Sequence, residues 1–198
     1  DNEFINYHYV YGSQRYAYDL LMLKDGKTYE GDPTKIENYY AFDKVVTAPA
    51  GGKVVKVVNK IRDNVPGEMN GKRPTGNHVI IQHAPKEYSV IAHFKKESIN
   101  VDEGDIVQQG QVIGRCGNSG NSSEPHIHFQ VMDKSRLVRA KSFRIRFEDG
   151  SEPVQGDLVN QISGNKKFYP NDLEATQTQD DTSIMTAISD TVGKWFKR

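Results

Sequence analysis

Between Tyr16 and about Val159 the apolar residues come in short runs with a two-residue period, separated by Gly, Pro, Asn and Asp. That period sends alternate side chains to one face of a strand. YAYDLLML (16–23), VVTAPAGGKVVKVV (45–58), HVIIQH (78–83), YSVIAHF (88–94), QVIGRCG (111–117) and HIHFQVM (126–132) are therefore predicted as strands. SFRIRF (142–147) and PVQGDLV (153–159) flank Glu148-Asp149-Gly150, a turn signal, and are predicted as a further pair. The pattern predicts an all-β protein.

The stretch KIRDNVPGEMNGKRPTGN (60–77) is too long for a hairpin turn, and its composition predicts a functional or mobile surface loop able to wall a groove. GNSGNSS (117–123) is predicted as a tight turn that places the following strand. After Pro170 the text turns polar and aperiodic, as in a linker. Ile184, Ile188, Val192 and Trp195 or Phe196 then recur at helical spacing behind a capping Thr182 or Ser183, which predicts an amphipathic helix of about 14 residues. The organisation that follows is a β domain over 1–165 and a linker with a helix over 166–198; the helix packs on its own domain or on a partner.

With 198 residues, 36% of them hydrophobic, the chain can bury one sizeable core. Its formal net charge of +0 gives no bulk attraction to nucleic acid or to an anionic membrane. Cys116 is the only cysteine, which excludes a disulfide framework and a cysteine-built zinc site. No apolar run approaches the ~18 residues that span a bilayer. The chain opens without a signal segment, so an exported protein would be represented here in mature or trimmed form.

The chemistry concentrates in SSEPHIHFQ (122–130), where the strand period turns His126 and His128 to one face and Ile127 and Phe129 to the other. A bare His-x-His is more often a solvated pair than a metal site. Asp19, set among apolar residues in the earliest strand, changes the balance, because such a carboxylate must be paired, metal-bound or on a wet face. His93 in SVIAHF poses the same question. The four types fit one proposal: Asp19 and His128 give an oxygen and a nitrogen to zinc, while His93 and His126 handle the proton of an attacking water and the oxyanion. Zinc lowers the pKa of a bound water from ~15.7 to about 7, so hydroxide becomes available at neutral pH.

Taken together, the early Asp, V-x-A-P-x-x-G-x-V (46–54), I-A-H-F (91–94), G-D-I-V-Q-Q-G-Q-V-I-G (104–114), G-N-S-G (117–120) and P-H-I-H-F (125–129) resemble the lysostaphin-type zinc endopeptidases, across roughly 14–132. The resemblance implies a duplicated hybrid motif fold, barrel-sandwich-like, with antiparallel sheets and zinc in a central groove. It also implies a bacterial enzyme of the cell envelope or exterior that cuts peptidoglycan peptides. In the family's pattern Asp19 and His128 are zinc ligands, and His93 and His126 are the catalytic pair.

One ligand does not carry over. Where the family has a histidine four residues before the aspartate this chain has Arg15, whose guanidinium has no lone pair to give. His8 could supply the third ligand from the preceding segment, two protein ligands could hold the metal with extra waters, or Arg15 could pair with Asp19 at a metal-free site. Arg15 could equally hold a substrate carboxylate, and Asn118 in the 117–123 turn is a second candidate for substrate contact. The competing function is a non-catalytic relative that binds peptidoglycan or regulates another hydrolase. Lipoyl-type carriers share the hybrid β architecture, but no lysine stands at the required hairpin tip. A phosphocarrier would need two facing histidines and no aspartate ligand. The sequence leaves the oligomeric state open.

Overall fold

The computed structural model describes residues 12–145, 152–154 and 156–159. The predicted C-terminal helix, His8 and the turn Glu148-Asp149-Gly150 lie outside the described residues. The fold is all-β. Eight strands run in chain order: β1 (Tyr18–Leu20), β2 (Val45–Thr47), β3 (Gly52–Val58), β4 (Asn77–Ala84), β5 (Glu87–Phe94), β6 (Ile106–Val107), β7 (Val112–Arg115) and β8 (Ile127–Met132). A six-stranded sheet has the order β1-β8-β5-β4-β3-β6, β2 and β7 form a second sheet of two, and each pairing is antiparallel.

Alternation along the strands splits the apolar side chains between two cores. Val54, Val79, Ile81, Ile91, Ile127, Phe129 and Val131 point from the large sheet to a core shared with Val46 of β2 and Ile113 of β7. Ile80, Val90, Ala92 and Met132 form a smaller cluster, closed by Ala140 and Leu137. The central strands are thus covered on both faces, which explains the near-continuous apolar runs of β4 and β5.

Three predicted elements come out differently. The 45–58 run is two strands, because Ala48-Pro49-Ala50-Gly51 carries the chain from the small sheet to the large one; proline cannot donate to a ladder. The 16–23 run keeps only three residues as strand. The expected pair at 142–147 and 153–159 is not a hairpin among the described residues: Ser142 bridges Met132, and residues 143–145, 152–154 and 156–159 carry no strand.

Two features position the site. Antiparallel register lines up Asp19 with His128, His128 with Ala92, and Ala92 with His78 across neighbouring strands, on the face of the smaller cluster. At the end of β5 the register slips: Phe94 pairs Asn77, Ala92 pairs His78, and His93 is the extra residue, with φ +69°. A bulge of this kind re-aims side chains. Phe94 keeps company with Ile91 in the large core, and His93 leaves that core for the opposite face.

Candidate active site

His93, His126 and His128 converge beside Asp19. The ring centroids of His93 stand 4.7 Å from those of His126 and 6.0 Å from those of His128. Asp19 Oδ1 lies 2.9 Å from His128 Nδ1 and 3.7 Å from His126 Nε2. The Asp19 side chain is 40% exposed, so the cluster opens to solvent at the carboxylate.

Each imidazole has its outer nitrogen against an oxygen that can only accept. His93 Nδ1 donates to the Ser119 carbonyl at 2.7 Å, His126 Nδ1 to the Glu124 carbonyl at 2.8 Å, and His128 Nε2 to Gln130 Oε1 at 2.9 Å. A neutral imidazole has one proton, so these partners leave His93 Nε2 and His126 Nε2 as basic nitrogens, whereas His128 has an acceptor at each nitrogen, Gln130 Oε1 at Nε2 and Asp19 Oδ1 at Nδ1. The same two-residue period that pairs His126 with His128 also marks Gln130, which was not among the sequence candidates.

Electrostatics separates the rings. Burial first, then the neighbouring His126 and His128, push the His93 pKa well below its ordinary value. His128 is as deeply placed, and burial lowers its pKa; the hydrogen bond and charge of Asp19, with the Gln130 contact, outweigh this and raise it overall.

The loop carrying Ser119 and Glu124 is held by the long 60–77 segment. Asp63 Oδ1 accepts from Asn118 N at 2.7 Å and its Oδ2 from Lys96 N at 3.0 Å. Asn64 Nδ2 donates to the Gly120 and Ser122 carbonyls. Main-chain bonds from Asn64, Gly67, Asn70 and Asn121 join the two segments further, and Thr75 O accepts from His93 N. Gly76, at φ +56°, lies so close to the Ser119 carbonyl that a Cβ there would collide with it. The segment expected to be functional or mobile braces the loop that carries Ser119 and Glu124.

The sequence candidates separate accordingly. Asp19, His93, His126 and His128 are brought together. Asn118, expected to contact substrate, is fully buried: its N–H goes to Asp63, its Nδ2 to the Asn64 carbonyl, and its Oδ1 accepts from Ser122 Oγ. Arg15 is exposed in the turn before β1. That turn is seated by Gln130 Nε2, which donates to the Ser13 carbonyl at 2.7 Å, and by Ser142, whose N and Oγ both donate to the Gly12 carbonyl. Of the histidines at the ends of β4, His78 is buried against the Gly76 carbonyl, and His83, partly exposed, bridges Gly51 O and Ser89 Oγ. On the other flank, Thr28, in the segment between β1 and β2, donates to Glu124 Oε2 at 2.7 Å, next to the His-x-His strand.

The donor set suits zinc. An oxygen and a nitrogen on one tetrahedral zinc stand roughly 3.3 Å apart, given bond lengths of about 2.0–2.1 Å. The Asp19–His128 pair at 2.9 Å needs to open by only a few tenths of an ångström to admit the ion. Among the described residues no group of three or more His, Cys, Asp or Glu is placed to hold a metal, so Asp19 and His128 are two candidate donors with no third among the described residues.

The model of Peptidase family M23 matches residues 38–140, a span that holds His93, His126 and His128 but not Asp19 or Arg15. The peptidoglycan DD-endopeptidase ShyA of Vibrio cholerae is 37% identical over 70 residues, 35% of this chain and 16% of that protein. Lysostaphin of Staphylococcus simulans is 46% identical over 43 residues, 22% of this chain and 8% of that protein. The chain therefore spans only a small part of the length of either relative. The lysostaphin catalytic domain from Staphylococcus simulans shares 26% identity over 60% of this chain and 87% of its own, with a TM-score of 0.38. With a family match over just more than half of its residues, on the strands and loops that build the histidine cluster, the chain belongs to peptidase family M23.

Proposed function

We propose that this chain is a zinc-dependent endopeptidase that hydrolyses peptide bonds of bacterial peptidoglycan at the cell envelope or outside the cell. The observation that carries the reading is the convergence of three imidazoles on one carboxylate, each with its outer nitrogen held by an oxygen acceptor. When bound between Asp19 and His128, zinc supplies Lewis-acid polarisation of the scissile carbonyl and of the attacking water.

The chain's own residues do the rest. His126 Nε2 lies 3.7 Å from Asp19 Oδ1 with its Nδ1 proton held by the Glu124 carbonyl, so His126 is the residue to take the proton of the attacking water. His126 can return that proton to the departing amine, while His93, whose own proton is held on Nδ1 by the Ser119 carbonyl, turns Nε2 to the site as a second base. Both rings keep fixed orientations because their Nδ1 protons are spent on loop carbonyls. His8 is the proposed third ligand, and Arg15, exposed in the turn before β1, is the proposed holder of a substrate carboxylate.

The second reading, a non-catalytic relative that binds peptidoglycan or regulates another hydrolase, rests on Arg15 standing where the family has a ligand. Elemental analysis of the purified full chain, with and without His128→Ala, and cleavage of a peptidoglycan peptide decide between them. The first reading expects about one zinc per chain in wild type, loss of that zinc in the variant, and cleavage by wild type alone. A wild type that holds no metal and cuts nothing, yet sediments with peptidoglycan, supports the second.

A further inference from the structure

We infer that Gln130 is a positioning residue: its side-chain carbonyl holds the Nε2 proton of His128 and so presents Nδ1 to Asp19 and to a cation bound beside it. The inference deepens the zinc-peptidase reading and rests on it for its functional consequence, although the hydrogen bond itself does not.

The direction of the Gln130 amide is set by its other end. Gln130 is fully buried, and its Nε2 lies 2.7 Å from the Ser13 carbonyl. Reversing the amide would bring two oxygens together there with no proton between them. Oε1 must therefore face His128 Nε2, 2.9 Å away, and an oxygen acceptor at that distance requires the proton on Nε2. Asp19 Oδ1 is an acceptor at Nδ1 in the cation-free chain, so a cation bound beside Asp19 takes the place of the Nδ1 proton while Gln130 keeps the one on Nε2. Ligand imidazoles are commonly oriented by an acceptor on their other nitrogen. His93 and His126 find theirs in main-chain carbonyls of the 117–125 loop; His128, inside a regular strand, finds it two residues along the same face.

The amide has a second effect. By gripping Ser13 it ties the orientation of His128 to the seating of the 12–16 turn, which carries Arg15 and follows the segment of His8. One side chain thus links the ligand on β8 to the part of the chain where the family's remaining ligand would stand.

The test uses the full chain, labelled with nitrogen-15, as wild type, Gln130→Glu and Gln130→Met. Glutamate keeps the acceptor for His128 and loses the donor to Ser13; methionine is close in volume and has neither. Long-range proton–nitrogen spectra are expected to show His128 protonated at Nε2 in wild type, with or without added zinc, and in Gln130→Glu. In Gln130→Met that hydrogen-bonded signal is expected to be lost. Zinc affinity, measured by competition with a chelator, is expected to fall about 10–100-fold in Gln130→Met and only a few-fold in Gln130→Glu. A bare Nε2 with the proton on Nδ1 in zinc-free wild type overturns the inference. So does unchanged affinity in Gln130→Met, or an equal loss in both variants, which would assign the effect to the Ser13 contact. A wild type that binds no zinc overturns the peptidase reading instead, and the Nε2 proton still decides the role of Gln130. If the methionine variant does not fold, the wild-type spectrum and Gln130→Glu are sufficient.

Discussion

Removing the Asp63 carboxylate tests whether the long loop is scaffold or free surface. Asp63→Ala strips the acceptor from two backbone N–H groups, those of Asn118 and Lys96. Hydrogen bonds to a charged group contribute about 1.5–3 kcal/mol each, and a buried donor left without a partner bears its full desolvation cost. Lys96 is half-exposed, so water can replace its partner and the lower end applies; Asn118 is fully buried and its N–H stays unsatisfied. The expected loss is about 2–4 kcal/mol, since the remaining bonds between the segments hold part of the loop in place. For a chain of this size that lowers Tm by roughly 5–15 °C. Asp63→Asn should lose at least half as much, because an amide turns one acceptor into a donor facing a donor. The assay is urea and thermal unfolding of the full chain, paired with cleavage of a peptidoglycan peptide well below Tm. Turnover should fall even where the variant is folded, because Asn118 is the neighbour of Ser119, whose carbonyl fixes the His93 ring. A Tm change under about 2 °C with unchanged turnover would falsify the brace and return the loop to the class of mobile surface segments.

Other outcomes follow from the same geometry. Gly76→Ala should unfold or destabilise the chain by more than about 3 kcal/mol, since a new Cβ meets the Ser119 main chain at positive φ; a variant with wild-type Tm would show that the two loops separate easily. His93→Ala and His126→Ala should keep zinc and the fold but cut peptide at about 10²-fold lower rate, and an equally active variant removes that residue from the mechanism. Burial lowers the pKa of His78, His83 and His93 in the folded chain. Just below their ordinary value the unfolded state therefore binds more protons, and stability falls as pH drops through that range and levels off below the folded values. His128, raised overall, runs the other way, with its contribution full below the ordinary value and lost as pH rises through the folded one. Three rings against one predict a lower urea midpoint at acid pH than near neutrality for the zinc-free chain, and an equal or higher midpoint contradicts it. His8→Ala should weaken zinc binding by orders of magnitude and Arg15→His should tighten or preserve it; retention of zinc and activity in His8→Ala identifies His8 as a bystander.

The sequence by itself determined the strands whose two faces differ in chemistry. In β8 the period of two placed His126 and His128 together and opposite Ile127 and Phe129, and that local rule survives any packing because it is a property of the extended backbone. It also singled out Asp19, since a carboxylate among apolar residues needs a partner, and the register of β1 on β8 supplies His128. His93 shows the limit of such reasoning. A strict period of two would have sent it with Ile91 into the large core; the bulge that turns it toward the site depends on pairing with β4 and on the Thr75 and Gly117 main chain, contacts distant in sequence. The same holds for 45–58, which reads as one strand until two different sheets claim its halves. Loop 60–77 shows no periodicity because its order comes from side-chain and main-chain bonds to 117–123, not from a regular ladder. Periodicity reports which face a residue shares with its near neighbours in sequence. Which nitrogen each histidine presents depends on carbonyls and an amide brought alongside by folding, and only the tertiary structure decides that.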